Sequence, residues 1–124
     1  MSHFTTIKVQ IKDGQILQQT LQELGFPVEK DTMVRGYAGG KTHAEYVVRQ
    51  INGYDLGFRL QGDSYELVAD FWGANINAES FVNVVSQRYA HKSLLATVQA
   101  QGFTIEEQST LADGTVRVVV GRWS

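Results

Sequence analysis

No cysteine occurs anywhere in the 124 residues. Disulfides, thiolate metal ligands, cysteine-bound clusters and thiol catalysis are therefore excluded. The absence is compatible with a reducing compartment. Proline is nearly absent too, with Pro27 alone, and no linker or low-complexity tract separates domains. No apolar run approaches the ~20 residues that span a bilayer, and Met1–Thr6 shows neither the basic nor the apolar region of a secretory leader. These absences predict a soluble intracellular protein without membrane insertion. Nor is there a strong excess of one charge. The formal net charge is −2, which makes nucleic acid an unfavoured partner, because phosphate contacts require clustered Lys and Arg.

What remains is ordinary for a folded chain: 43% hydrophobic and 19% charged residues, within the range of globular domains. The length fits one domain, residues 1–124, large enough for a real core without staples. Ile7, Val9 and Ile11 alternate with Lys8 and Gln10, the period of a strand. Asp13-Gly14 opens a helical pattern with Leu17, Leu21 and Leu24, and Gly25 and Pro27 stop it. Met33–Tyr37 reads as a short strand. Thr42–Ile51 and Tyr54–Leu60 read as a hairpin across Asn52-Gly53, and Gly62-Asp63 reverses the chain into Tyr65–Trp72. Asn77 caps a helical stripe that runs from Phe81 to Val98, as one helix or as two with a break near His91. A last hairpin, Thr104–Thr110 with Thr115–Arg122, turns at Asp113-Gly114. The expected fold is α+β, a mostly antiparallel sheet with helices packed on one face, in the order β-α-β-β-β-β-α-β-β. Thr20, Gln22, Gly25, Phe26 and Glu29 recur at constant offset as Thr97, Gln99, Gly102, Phe103 and Glu106. Shared capping chemistry explains that echo better than duplication.

Val34–Trp72 is the richest stretch in candidate chemistry. Two-residue loops at both turns would set Tyr46 opposite Arg59, Gln50 opposite Asp55, Arg59 opposite Glu66 and Asp55 opposite Asp70. Val47, Ile51, Tyr54, Leu56, Phe58, Leu67, Ala69 and Phe71 would then face the helices, with Arg49 a misfit at the margin. Tyr46, Val48, Asp55, Arg59, Glu66, Val68, Asp70 and Trp72 would form the second face, where function is expected. Arg35, Tyr37, Tyr46, Asp55, Arg59, Glu66, Asp70 and Trp72 are the candidate binding residues. Arginine beside aromatics suits recognition of a protein, a nucleobase or a planar ligand. Arg122 and Trp123 extend the same chemistry. Asp55 beside Asp70 would raise one carboxyl pKa and form an acid/base pair; a surface pair neutralised by Arg59 is the simpler expectation. No nucleophile with a matched base stands nearby, so no catalytic residue is assigned. Gly36–Thr42 echoes a phosphate loop, but its first glycine stands too close to Gly-Lys-Thr and a strand follows where a helix is required. It is expected to be a mobile turn, with Lys41 free to meet an anion. His3, His43 and His91 show no metal-ligand spacing, and neither metal nor cofactor is expected.

Several separate motifs carry a resemblance: Met-Ser-His-Phe-Thr-Thr-Ile-Lys at the start, Val-Arg-Gly-Tyr, Asn-Gly-Tyr-Asp-Leu-Gly-Phe-Arg, Tyr-Glu-Leu-Val-Ala-Asp-Phe-Trp, Gln-Arg-Tyr-Ala, and Val-Val-Gly-Arg-Trp at the close. Over nearly its whole length the chain resembles the family encoded in cyanobacteria and some algal plastids as conserved hypothetical chloroplast reading frame thirty-five. The resemblance implies a cyanobacterial cytoplasm or plastid stroma and supplies no catalytic residue or cofactor. The leading expectation is a non-enzymatic interaction or accessory protein in assembly or regulation of photosynthetic or metabolic machinery, with a protein partner or a second copy of itself. A small-ligand protein or enzyme built on Asp55, Asp70 and Arg59 is the alternative, and an RNA-binding module the third.

Overall fold

The computed structural model describes residues 3–110 and 116–122. β1 (Thr5–Lys8) leads to α1 (Gly14–Glu23), then β2 (Val28–Arg35), β3 (Lys41–Val48), β4 (Leu56–Gln61) and β5 (Ser64–Ala69). A one-turn helix α2 (Phe71–Ala74) and a long helix α3 (Ala78–Ala100) follow, then β6 (Phe103–Thr110) and β7 (Val116–Arg122). The first five strands form an antiparallel sheet ordered β1-β5-β4-β3-β2, and β6 and β7 pair antiparallel as a separate ribbon. Class and element order are those expected from the sequence. The Asp113-Gly114 turn and Trp123 lie outside the described residues, as does the Arg122 side chain.

The helices form where their caps and apolar spacing dictate. Asp13 accepts a hydrogen bond from the Ile16 amide at 3.1 Å, and Asn77 accepts one from Ser80 at 2.9 Å, each satisfying an amide that the first turn leaves free. Residues 78–100 make one unbroken helix, without a break at His91. Both α1 and α3 end the same way. Gly25 (φ 90°) and Gly102 (φ 81°) take the left-handed conformation, and their amides donate to the carbonyls of Gln22 and Gln99 at 3.0 and 3.1 Å. The echoed residues are thus the same capping motif used twice. Leu17 and Leu21 of α1 and Val85 of α3 are buried against Leu56, Phe58, Leu67 and Ala69. Phe81 of α3 adds an edge-on contact to Phe26.

The sheet departs from strict alternation, and four expectations change with it. First, the connection between β3 and β4 is not a two-residue hairpin. It runs from Arg49 to Asp55, and the register places Tyr46 opposite Phe58 rather than Arg59. Asn52-Gly53 still turns the chain, with Gly53 at φ 82° and its amide on the Gln50 carbonyl. The loop is held open by the bonds that Gln50 and Asp55 make elsewhere.

Second, the faces are reassigned. Tyr46 and Val48 join the helix-covered core, Val47 is buried on the opposite side with Val34, Ala44 and Val68, and Ile51 is fully exposed. Alternation breaks between Ala44 and Tyr46, where the β2–β3 ladder skips Asp31, a residue at φ 49°. Third, β5 ends at Ala69, so Asp70 and Trp72 belong to a turn and a short helix instead of a strand.

Fourth, the second face is not an open surface. Gly57 has no side chain, and Val34 fills that space: a Cβ there would sit 2.4 Å from Val34 Cγ2 and 3.1 Å from Val68 Cγ1. The sheet therefore curls until β2 reaches β5, enclosing a second small core that Phe4 packs against. The end of β2 thus covers part of this face.

Candidate functional site

Curling brings the end of β2, the 49–55 loop and the end of β5 to one side of the sheet. Two carboxylates organise it, each in a different way. Asp55 is fully buried. Its Oδ2 accepts from Arg35 Nε at 2.8 Å, Arg49 Nη1 at 2.7 Å and the Arg35 amide at 2.9 Å. Its Oδ1 accepts from Arg35 Nη2 at 2.9 Å and the Gln50 amide at 3.1 Å. Burial pushes the carboxyl pKa up, but the bonds from Arg35, Gln50 and Arg49 outweigh it and hold the group at about 2. An acid/base role at neutral pH calls for a raised value, so Asp55 is a structural anion. It ties β2 to the loop, and the Asp55 amide completes the tie by donating to the Arg35 carbonyl.

Asp70 is also fully buried, at the entry to α2. Its Oδ2 accepts from the Tyr37 amide at 2.9 Å, while its Oδ1 has no hydrogen-bond partner among the described residues. A buried acceptor left unmade is rare and costly. The Tyr37 bond fixes the 36–40 segment, which closes on itself through Gly36 N to Gly40 O at 2.8 Å and Gly40 N to Tyr37 O at 2.9 Å. Expected as a mobile turn, it is an internally bonded loop with Ala38 at φ 54°. It takes a 3-10 turn over Tyr37–Gly39 in place of a phosphate cradle.

Above Asp70 the loop and α2 present aromatic rings to solvent. Trp72 is 73% exposed and Tyr37 40%. Their centroids lie 5.4 Å apart in a T-shaped arrangement, and His3 stands 5.6 Å from Tyr37 and 6.1 Å from Trp72. Edge-to-face packing of this kind holds rings without burying their faces.

Of the eight candidate residues, the structure places Tyr37, Asp70 and Trp72 in this patch. Arg35 and Asp55 form the adjoining buried tie. Arg59 and Glu66 are cross-strand partners as expected, but their ion pair at 2.8 Å is half-buried, and Arg59 also donates to Thr42. Tyr46 faces the helices, 5.9 Å from the Tyr65 ring. His3 was missed because nothing in its neighbourhood of sequence links it to residues 37 and 72. Gln50, expected opposite Asp55, does bond it through its amide; Arg49 was missed as a partner because the expected hairpin put it on the other face, and a basic residue at a core-facing position was the signal.

Comparison with known proteins agrees with the resemblance drawn from the motifs. Residues 20–119 match the family described as "Protein of unknown function (DUF1257)". The chain belongs to the DUF1257 family. Among its relatives is "Uncharacterized protein ycf35" of Guillardia theta, 38% identical over 99% of this chain and 98% of that one. The proteins of the same name from Pyropia yezoensis and Cyanophora paradoxa are 31% and 28% identical, again over at least 98% of both chains. No solved structure matches the sequence. The Tyr37, Asp55, Asp70 and Trp72 positions all fall inside the segment shared with the DUF1257 family. His3 lies before it. Among the described residues no helix is long and apolar enough to cross a membrane.

Proposed function

We propose that this DUF1257 protein is a non-enzymatic interaction module that docks a partner protein through Trp72, Tyr37 and His3. The observation that supports the reading is the exposure of Trp72 on a braced scaffold. An indole this uncovered gains more from a partner than from its own fold, and Trp and Tyr are the side chains that most often dominate binding energy. The brace matters equally. With Tyr37 anchored by its amide to Asp70, little conformational freedom is lost on binding. The exposed ring faces carry the negative side of the aromatic quadrupole. The partner segment is therefore one that inserts a Lys or Arg side chain against the aromatics. The setting consistent with the relatives is a cyanobacterial cytoplasm or plastid stroma, and the role one of assembly or regulation there.

The test is in-cell crosslinking from position 37, followed by titration of the purified crosslinked protein against wild type and Trp72→Ala. Expected is at least tenfold weaker binding to the folded variant, matched by an equal loss when the crosslinked Lys or Arg of the partner is replaced by Ala. Unchanged affinity in folded Trp72→Ala overturns the proposal.

A further inference from the structure

A separate group of cations stands on the outer side of β2 and β3. Lys41 is paired directly across the ladder from Arg35, and like charges facing each other weaken an antiparallel pair. Arg49 adds a third positive charge. Arg35, Lys41, Arg49, Thr32 and Met33 line an open concavity of about 400 Å³. The carboxylates that neutralise the arginines, Asp55 and Glu29, are not among the lining residues. The concavity is thus walled by cations, with Asp55 and Glu29 outside its lining.

The donors left over point to a ligand. Arg35 uses Nε and Nη2 on Asp55 and the Gln50 carbonyl, leaving both Nη1 protons. Arg49 uses Nε on Glu29, Nη1 on Asp55 and the Met33 carbonyl, and one Nη2 proton on Thr32 Oγ1. Because Thr32 Oγ1 accepts that bond, its own proton is free to donate elsewhere. Lys41 forms no ion pair among the described residues. Asp55 holds both guanidinium groups in place before any ligand arrives, so ordering them adds little to the free energy of binding.

We propose that this concavity is an oxyanion site that takes a phosphoryl group, with Arg35, Lys41, Arg49 and Thr32 donating to its oxygens. A phosphoryl group suits it better than a carboxylate. It offers three oxygens to four donor side chains, and its charge meets the Lys41 ammonium, which no carboxylate among the described residues neutralises.

Inorganic phosphate is the probe. Titrated into labelled full-length protein at low, constant ionic strength, it shifts the amides of Thr32, Met33, Arg35 and Lys41. Lys41→Gln weakens that binding about tenfold or more, the scale of one charge-assisted hydrogen bond, without lowering Tm. Thr32→Val weakens it by less. Among the described residues Lys41 has no ion-pair partner to lose, so the variant folds. Identical shifts from chloride at matched ionic strength, or unchanged phosphate affinity in Lys41→Gln, overturn the proposal. Glucose 6-phosphate and a phosphoserine peptide then identify the source: whichever binds more tightly than phosphate carries the natural group. Equal affinity of all three assigns recognition to the phosphoryl group alone.

Discussion

Replacing Asp55 by asparagine tests whether the buried tie carries as much of the fold as its geometry indicates. The ordinary value of this carboxyl is 3.8, and in the folded protein it sits at about 2. At about 1.36 kcal/mol per tenfold, that difference makes the ionised form worth about 2 kcal/mol at neutral pH. Since folding lowers the value, the unfolded chain takes up the proton first. The contribution is therefore complete above pH ~5 and is lost as pH falls through 3.8 toward 2. The carboxamide of Asp55→Asn cannot ionise, and two guanidinium groups lose their shared anion. Breaking a buried pair by removing one partner costs about 3–5 kcal/mol. Arg35 keeps a side chain 45% exposed and Arg49 keeps its bond to Glu29, so the lower end, about 3 kcal/mol, is expected. Urea unfolding followed by far-ultraviolet circular dichroism, at pH 7, 5, 4, 3 and 2.5, reads both effects. Wild type should lose about 1.5 kcal/mol more than Asp55→Asn across that range, the remainder going below pH 2.5. Parallel pH profiles, or a cost below about 1 kcal/mol at pH 7, would refute the assignment of Asp55 as a structural anion.

Gly57→Ala forces a methyl group into space held by Val34 Cγ2 at 2.4 Å and Ala44 Cβ at 3.0 Å, and should cost about 1–3 kcal/mol by overpacking. In a Val34→Ala background most of that cost should vanish in thermal unfolding, whereas additive losses would mean that the two residues do not share the space. Asn77→Ala removes the cap bond to Ser80 and should lower stability by about 1 kcal/mol, a fall in Tm of about 4 °C for a domain of this size. Lys12→Ala breaks an ion pair at 3.7 Å whose side chains are 72% and 86% exposed; its urea midpoint should match wild type, since such pairs contribute little.

Local chemistry was legible wherever one short segment decides the outcome. Asp13, Leu17, Leu21 and Gly25 specify α1 without reference to the rest of the chain, and Gly62-Asp63 sets Arg59 opposite Glu66 because a tight two-residue turn fixes the β4–β5 register from within its own strands. Asn52-Gly53 sent an equally strong turn signal and gave the wrong register. There Asn52 bonds the carbonyls of Gly73 and Ala74, and Gln50 bonds those of Tyr54 and Ala74, so distant backbone decides the loop length. The face assignment failed for a related reason. Alternation can be counted along a strand only until a residue such as Asp31 leaves the ladder. At the candidate site, Trp72, Tyr37 and Asp70 were visible as chemistry, but their grouping depends on the curl of the sheet. That curl rests on one small residue, Gly57, whose role no periodicity reveals.

Asp31 has a consequence for how these molecules meet one another. With β3 on one side and no strand among the described residues paired on the other, β2 is an outermost strand of the sheet, and a long regular strand in that position offers its free amides and carbonyls as a template for a neighbouring chain. The left-handed backbone at Asp31 interrupts that row midway, within the charged run Glu29-Lys30-Asp31. An incoming strand would meet an interrupted hydrogen-bonding edge and would have to desolvate three charges to bridge it. The kink that spoils the reading of the faces thus also makes the β2 border of the sheet a poor template for an incoming strand.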